Sequence, residues 1–411
     1  MRIRSPRGSR ERKATLRSKI ARLGGIVAAG TALTLGLAAC GSGTDEASSG
    51  GQGDGGVTTL KIGFMGDLTG ENSGLMIPPR QGAELAVEEF NARSSNVKVE
   101  LVPYDSQGNP DQAVTLAQKA VTEDKIVALV GPGFSGESRN VGPILEQAKV
   151  PSVSASATNP GLAQNGWKYW HRVVANDDVQ GPTIADFLVK ATSAKKAFVI
   201  DDAQEYGAGL ADAVAKQFEA NGVQVERDKI DPNGSDYSST VTKVKAANPD
   251  VIFYGGYYAQ LGRLLKQLRD GGVTAVVSSG DGSVDAKLIE GAGAQAAEGA
   301  VLGCPCLIPF GSDVPELKDF SERYKAKYGT EPMIYATEGY DAATAILKAI
   351  EAGNTTSEKI NEYLATIDFK GVSKQIKFNP NGEIAASVIH IYQVKNGQIV
   401  WLGDSTQATL S

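Results

Sequence analysis

AFVIDDAQEYGAGLADAVAKQFEANGVQVERDKI, residues 197–230, holds the repeat from which the fold can be read. Residues 197–201 are a short apolar run and read as a buried strand, 207–221 as a helix, and 223–230 as a strand again. The rhythm continues with a helix over 237–247, a strand over 251–254, a helix over 259–270 and a strand over 274–278. An earlier series has the same beat. It runs strand 60–65 (LKIGFM), turn 66–70, helix 80–91, strand 97–104 (VKVELVPY), helix 110–124 with Pro110 in its first turn, strand 127–130, a helix around 137–149 and strand 150–154. Continuous apolar strands alternating with helices predict an α/β protein with parallel sheets covered on both faces. The two series are separated by a loop, Ala175-Asn176-Asp177-Asp178. A third portion reads as helices 315–328, 335–352 and 357–366. Strands follow at 374–378, 388–394 and 398–402, with an Asn396-Gly397 turn between the last two. The chain is thus expected to build one lobe, build a second, and return to the first.

The N-terminus reads as an address. Nine Arg and Lys residues precede an uncharged stretch over 23–39, too short and small-sided for a confident membrane span. It ends in Leu37-Ala38-Ala39-Cys40, which resembles a bacterial lipobox; cleavage there would leave Cys40 as a lipid-bearing N-terminus. Residues 1–39 are therefore expected to be a lipoprotein signal peptide. Residues 41–56 contain seven Gly and three Ser and no apolar side chain larger than Ala47, so 40–56 is expected to be a flexible tether.

Residues 40–411 carry 32 Lys and Arg against 46 Asp and Glu, a net of −14. That charge argues against nucleic acid or an anionic lipid surface as partner. No second long apolar run follows, so the membrane is expected to be met only through the N-terminal lipid. Cys304 and Cys306 are the remaining cysteines; a disulfide between them and two small apolar residues at a strand end are both open readings. With only His171 and His390 in the chain, and neither at ligand spacing to the cysteines, no metal site is expected. No catalytic set or cofactor motif is found either.

In open parallel sheets, ligands sit beyond the C-terminal strand ends. Five such ends carry suitable chemistry. Gly131 to Gly136 leads into a helix whose free N–H groups suit an anion, and Ser135 adds a hydroxyl there, although Ser at this position more often just caps its helix. Residues 154–160, with Ser156 and Thr158, offer hydroxyls and accessible backbone, and also fit an ordinary turn before Pro160. Tyr206 stands ahead of a helix, and Tyr257 and Tyr258 follow two glycines as exposed tyrosines of a binding surface. Asp281, between glycines at a third strand end, would pair with an ammonium group, the plainer alternative being a solvated turn.

The dispersed stretches Gly82-Ala83-Glu84-Leu85-Ala86-Val87, Tyr104-Asp105 with Asp111-Gln112-Ala113-Val114, Gln180-Gly181-Pro182-Thr183, Tyr206-Gly207-Ala208-Gly209-Leu210-Ala211 and Tyr254-Gly255-Gly256-Tyr257 occur in one order. In these the chain resembles the leucine/isoleucine/valine-binding proteins, the type I periplasmic binding proteins of branched-chain amino-acid ABC importers. The resemblance implies two Rossmann-like lobes joined by a three-segment hinge. Lobe 1 would be 57–176 with 307–391, and lobe 2 would be 177–306 with 392–411. It implies that Ser135, Ser156 and Thr158 hold the ligand's α-carboxylate and part of its ammonium. Tyr206 and Asp281 would reach the ammonium, and Tyr257 and Tyr335 would flank the side chain. Leu75 stands where the family commonly has an aromatic. The implied function is an extracytoplasmic, monomeric binding protein, lipid-anchored to the outer face of the cytoplasmic membrane, that needs no cofactor. It would deliver a branched-chain or similar aliphatic amino acid to the permease of an ABC importer. The alternatives are an amide, urea-like or aromatic-acid ligand on the same fold, or a ligand-sensing receptor subunit.

Overall fold

The computed structural model describes residues 57–310, 312–386 and 388–410. The expected signal peptide, Cys40 and the tether lie outside the described residues.

The first series folds as β1 (Thr58–Gly66), α1 (Ile77–Arg93), β2 (Val97–Asp105), α2 (Pro110–Lys119), β3 (Ala128–Val130), α3 (Ser135–Ala148), β4 (Ser152–Ser154) and β5 (Trp170–Arg172). Its strands form a parallel sheet in the order β2-β1-β3-β4-β5. Side chains alternate across a strand, so each strand feeds two cores. Ile62, Phe64, Ala128 and Val130 pack on one face with Ala83 and Phe90 of α1. Met65 and Leu129 pack on the other with Ala113 and Ala117 of α2 and Val141 and Leu145 of α3.

The second series is α4 (Asp177–Thr192), β6 (Lys196–Asp201), α5 (Glu205–Ala220), β7 (Gln224–Lys229), α6 (Ser238–Ala247), β8 (Val251–Gly255), α7 (Tyr258–Asp270), β9 (Val276–Ser279), α8 (Ala286–Ala292), α9 (Ala294–Ala297) and β10 (Val301–Cys304). The third portion adds α10 (Pro315–Tyr328), α11 (Ala336–Glu351), α12 (Ser357–Leu364), the two-stranded β11 (Asp368–Lys370) and β12 (Gln375–Lys377), then β13 (His390–Lys395) and β14 (Gln398–Asp404). The second sheet runs β14-β13-β10-β9-β8-β6-β7, with β13 and β14 antiparallel. Asn396 and Gly397, at φ 53° and 72°, make the turn between those two strands.

The return to the first sheet is made by α11, which lies on α1 with Ile346 and Leu347 in the first core. The two helices touch backbone to backbone. A Cβ added at Gly82 would fall 2.0 Å from the Ala336 carbonyl oxygen, and one at Gly339 would fall 2.1 Å from that of Pro79. Only glycine at both positions permits that approach.

Two sequence expectations change, and two strands were not foreseen. The loop over 175–178 is only half a loop, because Asp177 opens α4. That helix was hidden by Gly181 and Pro182. Gly181 is there because α5 crosses closely: a Cβ would lie 2.7 Å from that of Ala213. The strand expected over 388–394 begins at His390 and runs to Lys395. The strands β5, whose Trp170-His171-Arg172 is not an apolar run, and β10, whose four residues include Gly303 and Cys304, lack the continuous apolar signal that marked β3 and β4.

The chain passes between the sheets three times, after β5, after β10 and before β13. Polar side chains tie these crossings together. Arg172, fully buried, donates from Nε to Glu383 Oε2 at 2.8 Å and from Nη2 to Glu383 Oε1, while its Nη1 reaches the carbonyls of Ala157 and Asn159 at 2.8 and 3.0 Å. Lys374 Nζ donates to the carbonyls of Val173 and Pro305, each at 3.2 Å, and to Glu338 at 3.1 Å. Beside Pro305, Cys304 and Cys306 are joined by a disulfide with their Cα atoms 5.0 Å apart.

Candidate functional site

The C-terminal strand ends of the two sheets face each other across a narrow cleft that leaves a cavity of about 10 Å³. The first sheet contributes Leu75 and Met76 after β1, Gly133, Phe134 and Ser135 after β3, and Ser156 after β4. The second contributes Tyr206 after β6, Tyr257 after β8, and Asp281 and Gly282 after β9, while Tyr335 arrives from just ahead of α11. Tyr335 has φ 61°, a left-handed backbone unusual for a bulky residue and often found where a site holds a side chain in place.

Asp281 lies at the centre. Its Oδ1 accepts from Tyr206 Oη at 2.8 Å and from Gln180 Nε2 at 2.7 Å, and its Oδ2 accepts from Tyr335 Oη. The Gln180 amide clamps it from the other side as well, since the Asp281 N–H donates to Gln180 Oε1 at 3.1 Å. Burial pushes the Asp281 carboxyl up, and the hydrogen bonds from Tyr335, Gln180 and Tyr206 pull it partly back. Burial, reinforced by the Asp281 charge, likewise raises the phenols of Tyr206 and Tyr335 well above their ordinary range, so both act as donors.

The opposite wall is built by small polar groups. Ser135 is the first residue of α3 and not its cap. The N-cap is Phe134, and Glu137 in the first turn reaches back to it: its Oε2 accepts from the Phe134 N–H at 3.0 Å while its Oε1 accepts from Ser106. Burial raises the Glu137 carboxyl to about 7. Ser135 Oγ accepts from Asn159 N at 3.2 Å, and Ser156 Oγ donates to the Gly133 carbonyl at 2.8 Å. Phe134, Tyr257 and Tyr206 line up ring by ring across the gap, with centroids 4.6 and 5.2 Å apart. An outer space, lined by Arg139, Asn140, Gln204 and Glu205 among others, shares these three rings and forms the mouth. The Arg139–Glu205 ion pair at 3.2 Å and the bond from Asn159 Nδ2 to the Glu205 carbonyl at 2.7 Å bridge it. On the far side, Arg263 pairs with Glu71, and Tyr258 Oη donates to the Glu71 carbonyl at 2.8 Å.

The structure thus brings Leu75, Ser135, Ser156, Tyr206, Tyr257, Asp281 and Tyr335 to one cavity. Thr158 stands just behind it, its carbonyl accepting from the Asp177 N–H at 2.9 Å. The expectation that Tyr257 and Tyr258 are exposed is corrected: they are 5 % and 1 % exposed, because the facing strand ends cover them. Sequence reading missed three residues. Met76 lines the cavity with its sulfur 3.9 Å from Ser156 Oγ. Gln180 and Asp177 open α4, behind Asp281; the assumption of a loop there concealed them, although Gln180 belongs to one of the family-like stretches.

The chain matches a family model described as periplasmic binding protein over residues 59–398. It is 31 % identical over 345 residues to an amino acid binding protein of Pseudomonas aeruginosa, covering 82 % of this chain and 90 % of that one. It is 29 % identical to a leucine-, isoleucine-, valine-, threonine- and alanine-binding protein of the same organism, covering 85 % and 91 %. Among solved structures, it superposes on a leucine-binding protein of Thermotoga maritima with a TM-score of 0.79 at 33 % identity, covering 84 % of this chain and 98 % of that one. With a branched-chain amino-acid transporter binding protein of Streptococcus pneumoniae in complex with isoleucine, the TM-score is 0.76 at 27 % identity, covering 84 % and 100 %.

Proposed function

The chain belongs to the periplasmic binding protein family, and from that premise we propose that it captures a branched-chain or similar aliphatic amino acid and hands it to an ABC importer. The proteins it resembles are transporter binding proteins, and it is not an enzyme. The observation that carries the ligand class is the buried Asp281 carboxylate, gathered by Tyr206, Gln180 and Tyr335 and faced by the helix start at Ser135. A zwitterion fits this pairing, its ammonium against Asp281 and its carboxylate towards Ser135, Ser156 and the α3 N-terminus. Thr158 stands behind the ammonium, and Tyr257, Leu75 and Tyr335 flank the side chain. A ligand touching both lobes stabilises the form in which they meet, with the crossings near 175, 306 and 389 acting as the hinge.

The test is thermal unfolding against a panel of amino acids, amides and small aromatic acids. A ligand at about a hundred times its dissociation constant adds roughly 2.7 kcal/mol, or several degrees at roughly 2–4 °C per kcal/mol. A shift from leucine, isoleucine or valine supports the reading. A shift from an amide or aromatic acid alone would replace the ligand class and leave the fold standing.

Two further expectations rest here. Met76→Ala removes a flexible side chain from the cavity, so it should favour the bulkier of two aliphatic ligands by about tenfold in competition binding. Unchanged preference would mean that Met76 already moves aside. At the N-terminus, the Leu37-Ala38-Ala39-Cys40 run supports a lipid anchor. Cys40→Ser should move the protein from the membrane to the soluble fraction, and an unaltered distribution would remove Cys40 as the attachment point.

A further inference from the structure

Asp177, the first residue of α4, is fully buried and sits beside Asp281. A single amide nitrogen, Gln180 Nε2, donates to Asp177 Oδ1 and to Asp281 Oδ1, at 2.7 Å in each case. The other Asp177 oxygen, Oδ2, has no partner. Thr158 Oγ1 has none either, although its hydroxyl lies close enough to ease the Asp177 charge. Two carboxylates that share a dry site cannot both stay ionised without a cation.

Among the described residues around the pair, no cation is free to serve. From β5, Arg172 faces Asp177 but is spent on Glu383 and on the carbonyls of Ala157 and Asn159. From α5 and from ahead of α11 come the phenols of Tyr206 and Tyr335, which are neutral donors to Asp281. Behind Tyr335, Glu338 is held by Lys374 at 3.1 Å. The site is built for a positive charge that must come from outside.

Resting on the amino-acid reading above, we propose that Asp177 is the second acid of the ammonium site, protonated while the cleft is empty and ionised, with release of that proton to solvent, when the ligand's ammonium arrives. Charge balances, since one unit leaves with the proton and one enters with the ammonium. Burial first, and the Asp281 charge second, raise the Asp177 carboxyl to about 8, so the proton is present at neutral pH in the empty protein. The same proton shapes stability. An unfolded Asp titrates near 3.8, so this contribution is full in acid and is lost as pH rises through about 8.

The measurement is isothermal titration of leucine into the protein, in buffers of differing ionisation enthalpy, with the dissociation constant followed from about pH 6 to 8. Release of about one proton per leucine, and an affinity rising up to tenfold per pH unit, are expected. Equal heats in all buffers with a flat pH profile would overturn the proposal. Asp177→Asn, close in shape, should bind leucine without releasing a proton; continued release would move the proton to another group. The wild-type buffer series decides even if that variant binds nothing. If no amino acid gives heat at any pH, the amino-acid reading itself falls, an outcome distinct from binding without proton release.

Discussion

With Asp281→Ala, leucine at a concentration that raises the wild-type unfolding midpoint by several degrees is expected to leave the variant's midpoint within about one degree of its ligand-free value. The carboxylate is 3 % exposed and gathers three side-chain donors. Removing it strips the incoming ammonium of its direct counter-charge and leaves only Asp177 behind it, in a place without water. Breaking a buried charge pair costs about 3–5 kcal/mol, which weakens binding by roughly two to three orders of magnitude. A ligand at about a hundred times the wild-type dissociation constant then sits at or below the variant's, and its stabilising effect falls from roughly 2.7 to below about 0.5 kcal/mol. Asp281→Asn keeps the shape without the charge: its one amide oxygen can accept from Tyr206 or from Tyr335 but not from both, and the variant should still lose most of the shift. If leucine stabilises both variants as it does wild type, the ammonium is not at Asp281.

The largest effect on stability is expected at a residue remote from the ligand. Arg172→Met should lower the unfolding midpoint by on the order of 10 °C. Arg172 is buried and spans two of the three crossings, meeting Glu383 211 positions further along the chain. Its loss would leave Glu383 with Asn176 Nδ2 at 3.2 Å, and would strand the carbonyls of Ala157 and Asn159. An uncompensated buried charge costs about 3–5 kcal/mol, at roughly 2–4 °C per kcal/mol for a chain of this size. Adding Glu383→Gln removes the stranded charge and should restore part of the loss, since the two changes act on one interaction. A drop of less than about 2 °C in the single variant would mean that the pair contributes little and that the crossings are held by packing alone.

Much of this molecule could be read along the chain, because local rules govern it. Strand and helix periods placed the elements over 58–66, 97–105 and 196–270 within a few residues. The rule that ligands lie beyond strand ends points to Ser135, Tyr206, Tyr257 and Asp281 from the sequence alone. The acidic balance is likewise a property of the sequence alone. Where the period was interrupted, the reading failed. Gly181 and Pro182 hid α4, and with it Asp177 and Gln180, because the reason for Gly181 is the crossing of α5, which no local window contains. Tertiary structure alone decided that Tyr335, from the third portion of the chain, would reach Asp281, and that Tyr257 and Tyr258 would be covered. It also decided that one amide of Gln180 would join two acids, and that Arg172 would find Glu383. Each depends on where the chain crosses between two sheets. Hydrophobic patterning fixes which face of an element is buried; which polar groups then meet in the dry space between the lobes is set by three crossings acting together.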